Sequence, residues 1–296
     1  MPETRKIILV DRRGGKTEIN DSSTGLLERM YSSAAGRICM KAAVSTPVSV
    51  IGGAFLETKL SAAFIDRFAD KNGIDLFDYE QKEYTSFNDF FTRKIKKGRR
   101  VIDRSENALV CPSDGKVTAY EIAKSDMFVI KNSVYTAASL LRDRKLADRF
   151  AGGTAVIIRL TPDDYHRYIY PCDGIKSHDR VIKGALNTVR PIMNEFAPVF
   201  KENTRRYCMI RSERFGDIIQ MEVGAMMVGK ITNHEPCVAH VKKGEEKGMF
   251  EFGGSTIVLL LEPGKAEVCR DIFEATKQGM ELRLRQGDVI AEAMRP

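Results

Sequence analysis

Apolar residues recur along this chain in two rhythms, and the change between them falls near residue 108. Before it the spacing is helical. Leu26, Leu27, Met30 and Tyr31 share one helical phase and predict a helix over about 25–43, capped by Ser22-Ser23-Thr24. Ala63, Phe64, Ile65 and Phe68 predict a second over about 57–71, stopped at Asn72-Gly73. Ser86 opens a third, over about 87–95. A mildly apolar stretch, 42–56, is broken by Pro47 and Gly52-Gly53 and falls short of the ~20 residues a spanning helix needs. It is expected to pack on the core, with contact to lipid as the alternative. After residue 108 the apolar runs are short and predict strands at 155–160, 218–223, 226–231 and 256–261. Residues 281–285, followed by Gln286-Gly287-Asp288, predict a further strand and turn. Short helices are expected at 137–141 and 163–166, and a short strand at 6–10 within an otherwise polar extension over 1–20. Helices first and strands afterwards predict an α+β fold: a helical N-terminal part, 1–105, packed on a mostly antiparallel β-sheet core, 106–296, as one integrated domain.

Composition keeps the chain among ordinary globular proteins. Of 296 residues, 43% are hydrophobic and 29% charged, which allows a sizeable core and excludes a disordered or fibrous chain. The N-terminal residues are polar and charged, so no secretory signal is expected there. The six cysteines stand without paired spacing and are expected to be reduced, cytosolic thiols. The net charge of +7 suits solubility or attraction to an anionic surface. Arg93, Lys94, Lys96, Lys97, Arg99 and Arg100 put six cations into eight positions, the pattern of a solvated face or a membrane contact. Nucleic acid is not expected, because only Phe90 and Phe91 lie near this run and no recognition motif accompanies it. His234, Cys237 and His240 are zinc-ligand types at three-residue steps, but no fourth ligand is evident and Pro236 argues for a loop, so no metal is expected.

The chemistry enters at residues 252–256, Phe-Gly-Gly-Ser-Thr, which head the apolar run 257–261. Glycine has no Cβ, so Gly254 can hold its carbonyl in a turn open to close approach, and Ser255 brings a hydroxyl to that carbonyl. An acyl shift from nitrogen to oxygen, elimination across Cα–Cβ of Ser255 and loss of ammonia would cut the chain and leave a pyruvoyl group on the new N-terminus. Alone, the tripeptide is also an ordinary turn into a strand. Asp114, in Pro-Ser-Asp-Gly, suits a turn or the orientation of a histidine or hydroxyl. His166, between Tyr165 and Arg167 near a strand edge, suits either a structural role or proton transfer near neutral pH.

Four further segments, in order, set this motif in context: 85–93 (Thr-Ser-Phe-Asn-Asp-Phe-Phe-Thr-Arg), 111–117 (Cys-Pro-Ser-Asp-Gly-Lys-Val), 164–174 (Asp-Tyr-His-Arg-Tyr through Tyr-Pro-Cys-Asp-Gly) and 223–229 (Val-Gly-Ala-Met-Met-Val-Gly). Together they resemble phosphatidylserine decarboxylase over roughly residues 50–296, closest to its bacterial Gly-Gly-Ser-Thr branch. The resemblance implies cleavage between Gly254 and Ser255 into fragments 1–254 and 255–296, which stay together as a heterodimer. It implies Asp114 in a charge relay for self-cleavage and His166 at the decarboxylation site, where it protonates the carbanion or acts in processing. It implies a pyruvoyl cofactor made from Ser255, whose ketone takes the substrate amine as a Schiff base. It implies phosphatidylserine in an anionic membrane surface as substrate, with the enzyme peripheral at the cytoplasmic face of the cell membrane. A higher oligomer stays open. The family commonly carries a second histidine three residues after the first, and this chain has Ile169 there. A decarboxylase of a free amino acid, or a processing-dead phospholipid-binding relative, is the alternative.

Overall fold

The computed structural model describes residues 6–12, 14–20, 52–80, 83–130, 133–184, 199–224, 231–252 and 255–294. The predicted helix over 25–43 lies outside these residues, as does most of the 42–56 stretch, of which 52–56 are helical. Of the predicted strand over 226–231, only Ile231 is described.

The fold is α+β. The chain opens with a hairpin, β1 (Lys6–Val10) and β2 (Lys16–Asn20). A short 3-10 segment, Lys59–Phe64, leads into a helix, Ile65–Asn72, where a single helix over 57–71 was expected. Gly73 ends it in the left-handed region at φ 62°, as the Asn-Gly pair predicts. The helix Phe87–Phe91 is capped by Ser86, whose Oγ accepts from the Asp89 amide at 3.1 Å. It stops four residues before the predicted end. Arg93 folds back onto the carbonyls of Phe90 and Phe91, and Ile95 bridges to Tyr79 instead of extending the helix.

Strands then follow: β3 (Ala108–Val110), β4 (Gly115–Glu121), β5 (Met127–Ile130), β6 (Ser133–Thr136), β7 (Thr154–Leu160), β8 (Arg167–Ile169), β9 (Gly174–Lys176), β10 (Arg180–Ile182), β11 (Arg205–Ser212), β12 (Gly216–Gly224), β13 (Ile231–Asn233), β14 (Ala239–Val241), β15 (Glu246–Phe250), β16 (Ser255–Leu261), β17 (Ala266–Val268), β18 (Glu281–Leu284) and β19 (Val289–Ala293). The helix expected at 137–141 is present, with a Thr136–Ser139 capping box. The one expected at 163–166 is a turn. Thr161 and the carboxylates of Asp163 and Asp164 bind one another, and such local side-chain bonds compete with a helix.

The main sheet runs β14-β9-β11-β12-β16-β7-β4-β18-β1-β2, with β10 beside β11. Among the described strands only β1–β18 pair in parallel. The predicted strand at 6–10 therefore belongs to the sheet, joined to the C-terminal part of the chain. β16 lies between β12 and β7, and all seven of its residues are buried. Both faces of the sheet are covered. Ile257, Leu259 and Leu261 enter one apolar cluster with Val156, Ile158 and Leu160, while Val258 and Leu260 enter another with Ile219, Met221 and Val223. A strand buried on both faces needs no polar alternation, which explains the unbroken apolar run. A third, aromatic cluster joins Phe68, Phe87, Phe90 and Phe91 of the N-terminal region to Phe252.

Candidate active site

Strand register gathers the predicted residues at one end of the main sheet. Gly224, Ser255 and Leu160 stand abreast on β12, β16 and β7. One step inward, Val223, Thr256, Arg159 and Lys116 stand abreast across β12, β16, β7 and β4. The Asp114 turn immediately precedes β4, and the loop bearing His166 immediately follows β7. The bond before Ser255 thus lies at the same sheet end as both. Ser255 itself is buried. Gly253 and Gly254 lie outside the described residues, so the turn expected at Gly254 does too.

Asp114 is held by Arg100. The guanidinium Nε donates to Oδ1 at 2.8 Å and Nη2 to Oδ2, and the Gln286 amide adds a bond to Oδ1 at 2.8 Å. The pair is mostly buried, and the bond to Asp114 raises the Arg100 guanidinium above its ordinary value despite the opposing effect of burial. The Gln286 side chain donates to the Pro112 and Arg167 carbonyls at 3.2 and 2.9 Å. It thereby ties the Asp114 turn to the residue after His166. Ile169, where the resemblance leads one to look for a second histidine, is buried and donates its amide to the Pro112 carbonyl at 2.9 Å.

His166 is held separately from Asp114. Its Nδ1 bonds the Asp164 carbonyl at 3.0 Å, and its ring lies 4.1 Å from that of Phe91 between centroids. Phe91 in turn meets Phe252 at 5.0 Å, and the Phe250 amide donates to the His166 carbonyl at 3.0 Å. His166 therefore sits one aromatic ring away from the segment that leads into Gly254-Ser255. Its Nε2 is buried with no hydrogen-bond partner among the described residues. Burial, helped by the nearby Arg93 cation, pushes the imidazole down to about 3, so the ring is neutral near pH 7.

Two members of the basic run point inward. Arg93 is buried, stacked over Tyr79 and Phe90 at 4.4 and 4.9 Å, and donates to the Asp164 carbonyl at 3.4 Å. Arg100 binds Asp114. The expected solvated face is thus reduced to Lys94, Lys96, Lys97 and Arg99, with Lys96 and Arg99 lying over the exposed Phe77 ring. The sequence reading missed Arg93, Arg100, Lys116, Asp164 and Gln286 as parts of the site. One signal was available: Arg93, Lys116 and Asp164 stand inside three of the quoted segments, 85–93, 111–117 and 164–174.

Of His234, Cys237 and His240, the first has a partner of its own. His234 Nε2 bonds Glu246 at 2.7 Å, and Cys237 and His240 are exposed. Among the described residues no group of three His, Cys, Asp or Glu side chains is placed to hold a metal. The five described cysteines are free thiols, with Cys111, Cys172 and Cys208 buried.

The family profile for phosphatidylserine decarboxylase matches residues 87–292. The phosphatidylserine decarboxylase proenzyme 2 of Clostridium acetobutylicum is 44% identical over 269 residues, covering 90% of this chain and 92% of that protein. The phosphatidylserine decarboxylase proenzyme of Fusobacterium nucleatum is 38% identical over 290 residues, 96% of each chain. That of Ruminiclostridium cellulolyticum is 36% identical over 294 residues, 97% of this chain and 98% of its own. On these matches, and with its motifs gathered at one sheet end, the chain belongs to the phosphatidylserine decarboxylase family.

Proposed function

We propose that this chain is a proenzyme that cuts itself between Gly254 and Ser255 and then decarboxylates phosphatidylserine to phosphatidylethanolamine. The observation that carries the reading is Ser255 at the head of a buried central strand, at the sheet end that also holds the Asp114 turn and the His166 loop. The pyruvoyl group made from Ser255 supplies an electron sink for the bond to the departing carboxylate. The surroundings fit such a group: apolar rings at Phe91 and Phe252, and an imidazole nitrogen at His166 without a hydrogen-bond partner among the described residues. Asp114, fixed by Arg100 and Gln286, lies in the same region and serves the cleavage step. His166 moves a proton.

The helical region up to 105 and the sheet core from 106 act as one integrated domain, supported by the aromatic cluster that spans them. The larger fragment, 1–254, and the smaller, 255–296, form the working heterodimer. Contact with an anionic membrane is peripheral, at the cytoplasmic face. No helix among the described residues is long and apolar enough to cross a membrane. Leu60, Phe64 and Phe77 are 76, 53 and 62% exposed, and Lys96 and Arg99 flank Phe77, a combination that suits an acidic lipid surface.

One observation favours a second reading, an uncut lipid-binding relative: Ile169 stands beside the Asp114 turn where a histidine base would be useful. Intact mass of the purified protein separates the two. Two chains split after residue 254, the smaller one blocked at its N-terminus, are expected. A single chain with an intact Ser255 after long incubation refutes the enzyme. Release of carbon dioxide from phosphatidylserine vesicles, and none from free serine, sets the substrate.

A further inference from the structure

Asp164 is clamped at its amide, its carboxylate and its carbonyl. Its amide donates to the Thr161 carbonyl at 2.8 Å. Its carboxylate Oδ2 accepts from the Thr161 amide at 2.7 Å, the Thr161 hydroxyl at 3.0 Å and the Lys116 ammonium at 2.7 Å. Lys116 is itself buried, also bonds the Thr161 hydroxyl, and is fixed in place by its register with Arg159. The third point, the Asp164 carbonyl, faces His166 Nδ1 at 3.0 Å and Arg93 Nη2 at 3.4 Å.

A carbonyl oxygen only accepts, so His166 Nδ1 must carry the hydrogen. Burial and Arg93 keep the ring neutral, and a neutral ring with hydrogen on Nδ1 has a bare lone pair on Nε2. That nitrogen has no partner among the described residues. The charged groups that act on the ring are the cations Arg93 and Lys116 and the carboxylate of Asp163, while Asp164 turns its carbonyl to the ring and its carboxylate to Lys116.

We propose that Asp164, locked by Lys116, is a positioning residue that fixes His166 in the tautomer with a free Nε2, so that His166 takes up a proton before it can give one. The step is a simple transfer. The Nε2–H bond forms as an O–H bond of Ser255 or an N–H bond of the substrate ammonium breaks, and the ring becomes a cation still bound to the Asp164 carbonyl. A proton taken from Ser255 passes to the nitrogen that the acyl group leaves, whereas one taken from the substrate ammonium is available for return to carbon once carbon dioxide has left. This rests on the reading of His166 as a site residue, and it orders the two roles left open by the sequence.

The test uses the full-length protein with ¹⁵N-labelled histidine near pH 7, the His166 signals being those lost in His166→Gln. A neutral ring with hydrogen on Nδ1 and bare Nε2 is expected. Removing Lys116 alone would strand a buried carboxylate, so the working variant neutralises both partners, Lys116→Met with Asp164→Asn. It is expected to mix the tautomers and lower kcat about tenfold or more at unchanged KM, while Lys116→Arg retains both properties. Hydrogen on Nε2 in the unaltered chain overturns the proposal, as does a neutralised pair that keeps tautomer and rate. If the pair does not fold, the spectrum of the unaltered chain decides. If the tautomer is as stated but His166→Gln is cut and turns over normally, the assignment of His166 to the site fails while the positioning by Asp164 stands.

Discussion

At the scale of single residues, the site depends on ionic partners that a linear reading assigns to the surface. Arg100 is the clearest case. It belongs to a run of cations, yet its guanidinium fork fits the Asp114 carboxylate at both oxygens. Removing one partner of a buried pair leaves the other charge unsolvated, so Arg100→Met is expected to cost about 3 kcal/mol of stability and to slow self-cleavage. A urea melt and a gel of the two fragments measure these separately. Arg100→Lys, which keeps the charge but loses the fork, should fall between. His166 gives a prediction with a defined sign. Its pKa is pushed down to about 3, against ~6.5 when unfolded. Between those values the unfolded chain binds the extra proton, so stability is present above about pH 6.5 and is lost as pH falls below it. The loss should reach about 2 kcal/mol by pH 5. Urea midpoints at pH 7 and pH 5 should therefore lie closer together in His166→Gln than in the unaltered chain. Ser255, Asp114 and His166 could be singled out as candidates because each stands in a short motif with its own chemistry. The ionic partners were harder to see, because Arg100 reaches Asp114 from 14 positions away and Lys116 reaches Asp164, the residue that holds His166, from 48.

At the scale of elements, strands were easier to place than short helices. β7, β12 and β16 announce themselves as apolar runs because both of their faces are covered. Helices of four or five residues carry too little periodicity, and the expected one at 163–166 loses to bonds among Thr161, Asp163 and Asp164. Hidden also was the pairing of β1 with β18, since contacts between the two ends of a chain leave no trace in local pattern. Gly115 shows how tightly the site end of the sheet is built. A Cβ there would lie 2.8 Å from Ile158 Cγ2 and 3.0 Å from the Arg159 carbonyl oxygen. Gly115→Ala should push β4 away from β7, destabilise the fold by about 1–3 kcal/mol and disturb the Asp114 turn beside it. Cleavage slowed beyond what the loss of stability explains would place the effect at the turn. Unchanged stability would mean that Ile158 has room to move.

At the scale of the whole molecule, the proposed cut falls next to a fully enclosed strand. β16 pairs along its full length with β12 on one side and β7 on the other, and β18 completes the far side of β4. Residues 255–296 would thus contribute two strands of the main sheet, the helix Arg270–Lys277 and the small sheet through β17 and β19. Cutting before Ser255 breaks one covalent bond but leaves the seven paired positions on each side of β16 intact. Burying those apolar side chains contributes on the order of 1.5–3 kcal/mol each, far more than the freed chain end gains in entropy. The two fragments are therefore expected to co-elute on gel filtration at the mass of one full chain or a multiple of it, and to separate only in denaturant. Recovery of a free 255–296 fragment from native protein would mean that β16 leaves the sheet once cut. The same enclosure predicts that 1–254 expressed alone stays soluble poorly, since β7 and β12 would face each other across a missing strand with their pairing groups open. Supplying 255–296 from a second message, and finding the fragments joined in one folded particle, would show that the sheet itself, rather than the covalent bond before Ser255, holds the molecule together.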